Sequence, residues 1–322
     1  MVAQLTSIVT SPESNFSALS LLSAFCVAAA FLCIRRGRKR PIRLAALVRA
    51  LVPKRWLSSP SVRADIGLLL FNTFIGGALL GWAILSADAV NAAADRMLDA
   101  VSGKAPLLEV PRGVFVAIVT VAVYLGYELG YYIDHWLKHR IPFLWQFHRV
   151  HHSAEELTPF TNARMHPVGA VIFANITGPC VGLFGSLASH VFAAPGAPVP
   201  VGGINAIMIA ALFLILHLHH SHVWIPFTGT LGKLVLSPAH HQLHHSTDPR
   251  HFNRNLGATL AVFDWLAGTL LVPDRKRERL RFGAGPYGYD PHSVTGMLVM
   301  PFVEAAAELK SAGAPVETLT AP

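Results

Sequence analysis

The sequence predicts an all-α protein: a multi-pass membrane helical bundle with a cytoplasmic helical cap that carries a histidine-rich dimetal site. Three observations predict it. The 322 residues are 52% hydrophobic and only 14% charged, with a mean hydropathy of +0.46; an ordinary soluble domain carries roughly 25% charge. Several apolar runs approach the ~20 residues that a helix needs to cross a ~30 Å hydrocarbon core. Of the 17 histidines, 15 fall between His135 and His245. The composition excludes a disordered chain and most soluble domains. Net charge is +8, from 26 basic and 18 acidic residues. Ten of the basic residues lie between Arg35 and Arg63 with no acid among them. That block reads as a cytoplasmic loop, so no nucleic-acid partner is expected.

Residues 16–34 (FSALSLLSAFCVAAAFLCI) make the first span. No basic residue precedes them, so they lack the charged start of a cleaved signal peptide. The basic loop 35–65 follows. Residues 66–87 make the second span. Residues 88–112 hold Asp88, Asp95, Asp99 and Glu109 with few basic residues, and read as a loop on the opposite side. Residues 113–133 are the third span, with Glu128 inside it. Residues 168–192 and 204–219 are the fourth and fifth, joined by the turn PGAPVPVGG, and read as a hairpin. Segments 134–167 and 220–322 then face the cytoplasm, and every histidine cluster meets on one face. Residues 297–310 suit an amphipathic helix on the membrane surface, and 311–322 a disordered tail. Cys26, Cys33 and Cys180 all sit in apolar runs and read as small apolar side chains. The organisation expected is 1–110 for the first spans and basic loop, 111–290 for a catalytic domain, and 291–322 for the amphipathic segment and tail.

The histidines fall in a pattern. His135 and His139 stand at i and i+4, on one face of a helix continuing from the third span. His148, His151 and His152 form an HxxHH box, and His241, His244 and His245 repeat it about 90 residues on. Imidazoles clustered with few acidic partners repel one another when protonated and stay neutral most naturally by binding metal. All-imidazole sites suit zinc, copper, iron or nickel. A structural zinc site closes at four ligands, so eight imply two metals. Two metals held by neutral nitrogen beside apolar spans fit O₂ chemistry on a lipid. Taking a hydrogen atom from an unactivated C–H bond lies outside the redox range of any side chain.

The order HxxxH, HxxHH, HxxHH resembles the fatty acid hydroxylase and sterol desaturase superfamily, the integral-membrane di-iron enzymes. Glu128-Leu-Gly-Tyr-Tyr-Ile-Asp-His135 is similar to the family's lead-in to its first box, and Phe147-His-Arg-Val-His-His-Ser153 to its second. Thr161-Asn-Ala-Arg-Met-His-Pro167 resembles the segment after that box. His220-Ser-His222 resembles its His-Ser-Asn, with His for Asn. Ser237-Pro-Ala-His-His-Gln-Leu-His-His-Ser246 is similar to the third box, and Asn255-Leu-Gly257 with Phe263-Asp-Trp-Leu-Ala-Gly-Thr269 to the closing motif. The likeness covers about 120–285. Trp136 stands where Arg is common and Leu256 where Tyr is common; neither removes a ligand.

The resemblance implies iron ligation by His135, His139, His148, His151, His152, His241, His244 and His245, with His220 as a ninth ligand. His166 is a further candidate, or else a structural histidine before proline. His222 is a ligand or a residue that orients one. His240 is left out, and His217 and His219 read as the polar end of the fifth span. Glu128, two helical turns before His135, either orients a ligand by accepting a ring N–H or pairs with a basic residue or water. The cofactors implied are two iron ions, with O₂ as co-substrate. The activity implied is hydroxylation or desaturation of a lipid, sterol- or isoprenoid-like. A fatty-acyl or ether-lipid hydroxylase is the second reading. A metal transporter is a third, disfavoured because its ligands belong near the bilayer midplane. Electrons come from a separate donor protein of cytochrome-b or ferredoxin type, and the basic surface can dock an acidic donor or attract lipid headgroups. The C-terminus carries no retention signal, which favours a bacterial inner membrane over the endoplasmic reticulum.

Overall fold

The computed structural model describes residues 6, 9–11, 14, 16–37, 43–103, 108–196, 199 and 205–313. Regular structure among them is helical apart from two-residue strands, Leu108–Glu109 and Phe192–Ala193, paired in parallel. Four stretches are long and apolar enough to cross a membrane: Ala18–Arg36, Pro60–Ser102, Arg112–Arg140 and Pro167–Val191. The fifth expected span is a shorter apolar helix, Ala206–His219. The expected turn 195–203 and tail 311–322 lie largely outside the described residues.

Helix α1 (Ala18–Arg36) begins where the Ser17 side chain accepts the Ser20 N–H and ends at Gly37, whose φ of 71° suits glycine. Ser23 donates to the Phe213 carbonyl at 2.7 Å. Ala24 and Ala28 pack with Leu51, Leu218, Val223 and Ile225. Leu51 ends the short helix α2 (Leu44–Leu51), so both flank the segment that follows the fifth span. Helix α3 (Pro60–Phe71) opens with Pro60 in its first turn, behind a Ser59 cap.

Beyond α3 the structure departs from the expected second span and loop. A π-helical turn (Asn72–Gly76), one α turn (Gly77–Leu80) and a 3-10 turn (Gly81–Ala83) follow, and Ile84 is extended. The Ser86 side chain then caps a new helix, α4 (Ala87–Ser102), where a loop was expected. The apolar run ends near Ala87, but helicity does not. Asp95 accepts from Ser186, and Asn175 ties the broken segment through the Leu85 N–H and the Ala83 carbonyl. Small residues and polar pairs thus extend helix packing where hydropathy fades.

The central pair is α5 (Arg112–Arg140) and the antiparallel α7 (Pro167–Val191). Their backbones approach closely: a Cβ on Gly126 would lie 2.7 Å from the Cys180 carbonyl oxygen, and one on Gly130 2.7 Å from Thr177 Cα. Between them in sequence, Ile141 is extended and Pro142 starts α6 (Pro142–His152). Helix α8 (Ala206–Ala211) continues through a π-helical turn to His219. Helices α9 (Pro238–His244) and α10 (Val262–Leu266) complete the cap. Helix α11 (Met300–Gly313) packs on α6, with Phe147 against Phe302 and Gln146 donating to Glu308. It overlaps the expected amphipathic segment and leaves Phe302, Val303 and Leu309 exposed.

Candidate metal centre

Four elements deliver imidazoles to one place. The last two turns of α5 present His135 and His139 on one face. Asp134 and Lys138 occupy another, as a buried ion pair at 2.7 Å, with Lys138 also donating to the Gly169 carbonyl. The α6 box carries His148, His151 and His152, and α9 with its C-cap carries His241, His244 and His245. His220 follows directly on the fifth apolar helix.

These nine residues sort into two groups. His135, His139, His148, His152 and His244 form one; His151, His220, His241 and His245 form the other. Within each, one ligand-capable atom per residue lies within 4.8 Å of all the others. Each HxxHH box is therefore divided. In α6 the i, i+4 pair serves the first group and the middle residue the second. In α9 the i, i+4 pair serves the second group and His244 the first. The groups abut, with the His152 and His245 rings stacked at 4.5 Å.

The donor set fits metal ions. The Nε2 of His220 lies 3.1, 3.1 and 2.9 Å from the Nε2 atoms of His151, His245 and His241, and His241 and His245 are 3.1 Å apart. Four ring nitrogens converging on one point cannot all be satisfied by sharing protons. A cation at ~2.1 Å from each, a usual metal–imidazole distance, satisfies them all. In the other group the buried Nε2 atoms of His135, His139 and His148 have no hydrogen-bond partner. The opposite ring nitrogens are held outward. The Nδ1–H of His135 donates to the Leu256 carbonyl (2.7 Å), that of His244 to Arg254 (2.9 Å) and that of His151 to Arg164 (3.3 Å). Nδ1 of His139 meets the Asn253 side-chain oxygen at 3.3 Å. Such partners fix the tautomer that aims Nε2 inward. Burial also keeps the rings neutral. It pushes His151 down to about 3 and His244 to about 4, and holds His148, His152, His220, His241 and His245 well below the ordinary imidazole value, with neighbouring rings adding to it.

The two remaining candidates, His166 and His222, and two histidines not expected to bind metal, His240 and His219, have other partners. His166 caps α7 by accepting the Val168 N–H, and its Nε2 faces the Leu298 carbonyl. His222 donates to the Ala50 carbonyl at 2.6 Å and packs edge-on against Trp56. His240 accepts from the Ser237 N–H and donates to the Gly232 carbonyl. His219 donates to the Leu236 carbonyl and stacks on His241.

Glu128 requires a correction. It was expected to accept a ring N–H or to pair with a basic residue or water; among the described residues it meets no ring N–H and no basic side chain. Its fully buried carboxylate accepts the N–H groups of Thr259 and Leu260 at 3.1 and 2.9 Å and the Thr259 hydroxyl. Seven residues of helix separate it from His135 by about 10 Å of rise, and the 256–260 segment fills that gap. Glu128 therefore acts on the loop whose Leu256 carbonyl holds His135.

Sequence reasoning quoted the motifs that contain Asp264, Asn255 and Arg164 but gave these residues no role. Asp264, buried on α10, accepts from the Leu256 and Gly257 N–H groups at 2.7 and 2.8 Å and from the Thr269 hydroxyl at 2.6 Å. Asn255, at φ 57°, bridges the His240 and Leu271 backbones. Arg164, fully buried, pairs with Asp65 at 2.9 Å and donates to the Val150 carbonyl, fixing the end of α6. A lone acid in the apolar run AVFDWLAG was the available signal for Asp264.

Residues 120–269 match the model of the fatty acid hydroxylase family. Among curated proteins, the chain is 27% identical over 146 residues to the alkylglycerol monooxygenase of Danio rerio (45% of this chain, 29% of that protein). It is 29% identical over 148 residues to the ornithine lipid hydroxylase OlsE of Rhizobium tropici (46% and 40%). It is 24% identical over 155 residues to the alkylglycerol monooxygenase of Homo sapiens (48% and 31%). The matches thus span less than half the length of these relatives. No solved structure matches.

Proposed function

From residues 120–269 as a member of the fatty acid hydroxylase family, we propose that this protein is an O₂-dependent di-iron hydroxylase of a membrane lipid that carries a polar headgroup. One observation carries the reading: nine imidazoles in two converging groups of five and four. His135, His139, His148, His152 and His244 hold one iron ion, and His151, His220, His241 and His245 the other. The ions, when bound, supply O₂ activation and hydrogen abstraction from an unactivated C–H bond. The overall change converts R–H, O₂, two electrons and two protons to R–OH and water. The electrons come from a separate cytochrome-b-type or ferredoxin-type protein.

The chain's own part is positional. Backbone carbonyls of Leu256, Arg254 and Arg164 keep Nε2 lone pairs pointing inward. Burial holds the rings unprotonated. Both matched kinds of relative are named for polar-headed lipids, which favours the lipid-hydroxylase reading over a sterol- or isoprenoid-like substrate. A transporter is disfavoured because the ligands cluster at the C-terminal end of a span and beyond it, away from its middle. The basic block and the clusters suit the cytoplasmic side of the membrane.

Metal stoichiometry of the purified protein, with iron spectroscopy, tests the reading beside a His148→Ala/His151→Ala variant. The expected result is two irons per chain in the parent and loss from both groups in the variant. Product lipids should appear only in cells expressing the parent. One metal or none, unchanged in the variant, overturns it.

A further inference from the structure

A cavity of about 500 Å³ opens beside the centre, within the usual size range for small-ligand sites. His139, His152, His244 and His245 line it, so both histidine groups border one space. Trp145 and Phe252 give it apolar walls, and Asn253 and Thr247 polar ones.

Three lining side chains carry formal charge: Arg140, Arg149 and Glu308. Two already have partners, although Glu308 keeps its negative charge. Arg149 pairs with Glu304 at 3.1 Å, donates to the Ala284 and Pro286 carbonyls, and lies over the Tyr287 ring. Glu308 accepts from Gln146 at 3.2 Å. Arg140 makes no hydrogen bond or ion pair among the described residues; its guanidinium sits 5.9 Å from the Trp136 ring. It is the last residue of α5, at the end of a helix long and apolar enough to cross a membrane. The surroundings suit the boundary of such a span: Phe252 is 53% and Trp136 37% exposed, and Glu308 comes from α11, whose Phe302 and Leu309 are also exposed.

We propose that Arg140 binds an oxyanion, phosphate or carboxylate, of the lipid substrate, and thereby selects anionic lipids. The guanidinium fork matches such groups bidentately. With the anion at Arg140 and imidazoles bordering the same cavity, the carbon offered to the centre lies within a few bonds of the headgroup. The chain ends stay outside. The inference rests on the proposed function only in taking this cavity as the substrate's route.

Lipid binding to the purified full-length chain in neutral detergent tests it, read by native mass spectrometry. The probes are didecanoyl phosphatidic acid and didecanoyl glycerol, which differ in the phosphate alone. The parent is expected to prefer phosphatidic acid by about tenfold or more, the value of one charge-assisted hydrogen-bonded pair. Arg140→Gln should abolish that preference and leave didecanoyl glycerol binding unchanged. Arg281→Gln, at an exposed arginine outside the cavity, should keep it. Ala284→Glu, which sets a negative charge on the cavity wall, should weaken phosphatidic acid binding and decides the matter if Arg140→Gln does not fold. No preference in the parent, equal losses in Arg140→Gln and Arg281→Gln, or displacement of the lipid by equimolar inorganic phosphate each overturns the proposal. Metal content of the same samples separates the two readings: loss of iron with the anion preference intact counts against the hydroxylase, not against Arg140.

Discussion

Leu256 serves the candidate centre through its backbone, because its carbonyl, not its side chain, orients His135. That carbonyl is in place because Asp264 gathers the two adjacent N–H groups. Asp264→Asn keeps the shape but presents an amide NH₂ to groups that are themselves donors. We expect it to cost about 1–3 kcal/mol of stability and to weaken metal retention at the five-histidine group about 10- to 100-fold, as losses of ligand-orienting partners do. Thermal unfolding and metal content during dialysis against a chelator check both. The nine histidines could be singled out because imidazole is rare and the HxxHH box is repeated, with His220 added by the resemblance. The carbonyls of Leu256, Arg254 and Arg164 could not, because every residue type carries one. Glu128 was legible as a buried acid in a span, but which groups it meets depends on a loop about 130 residues away.

The pairing of α5 with α7 is the element that fixes the first box relative to the cap. Its close approach depends on Gly130, where any Cβ meets Thr177 Cα. Gly130→Val is expected to destabilise by about 1–3 kcal/mol or more through overpacking, and to lower the yield of monodisperse protein. Gly113→Ala, at the start of the same helix with nothing within 4 Å of the added Cβ, should cost nothing measurable. Size-exclusion profiles and thermal midpoints of the two variants check the contrast. Hydropathy made the long spans legible, since a continuous apolar run needs no tertiary information. It missed the helix after the second, because α4 is held by Asp95 on Ser186, a polar contact across helices that a window average cannot register.

The whole molecule should be sensitive to acid in a defined direction. Burial holds His151 near 3 and His244 near 4 in the folded chain, against about 6.5 when unfolded. The unfolded chain therefore binds more protons below about pH 6.5, and folding must exclude them. Stability is complete above that pH and is lost as pH falls from it towards 4. We expect the thermal midpoint of metal-depleted protein to be flat above about pH 7 and to decline below 6.5. Bound metal shifts that decline to lower pH, because ligation competes with protonation. A midpoint that rises on acidification contradicts this account. The cap's architecture was legible only in outline. The sequence brought the boxes to one face, whereas the sorting of each box between two groups depends on the crossing of α6 and α9.

That sorting has a consequence in time. His244 completes one group and His241 and His245 the other, so neither is whole until the chain has been made past all its apolar helices. Any metal that the two groups hold can then be fully ligated only after all the apolar spans have been made.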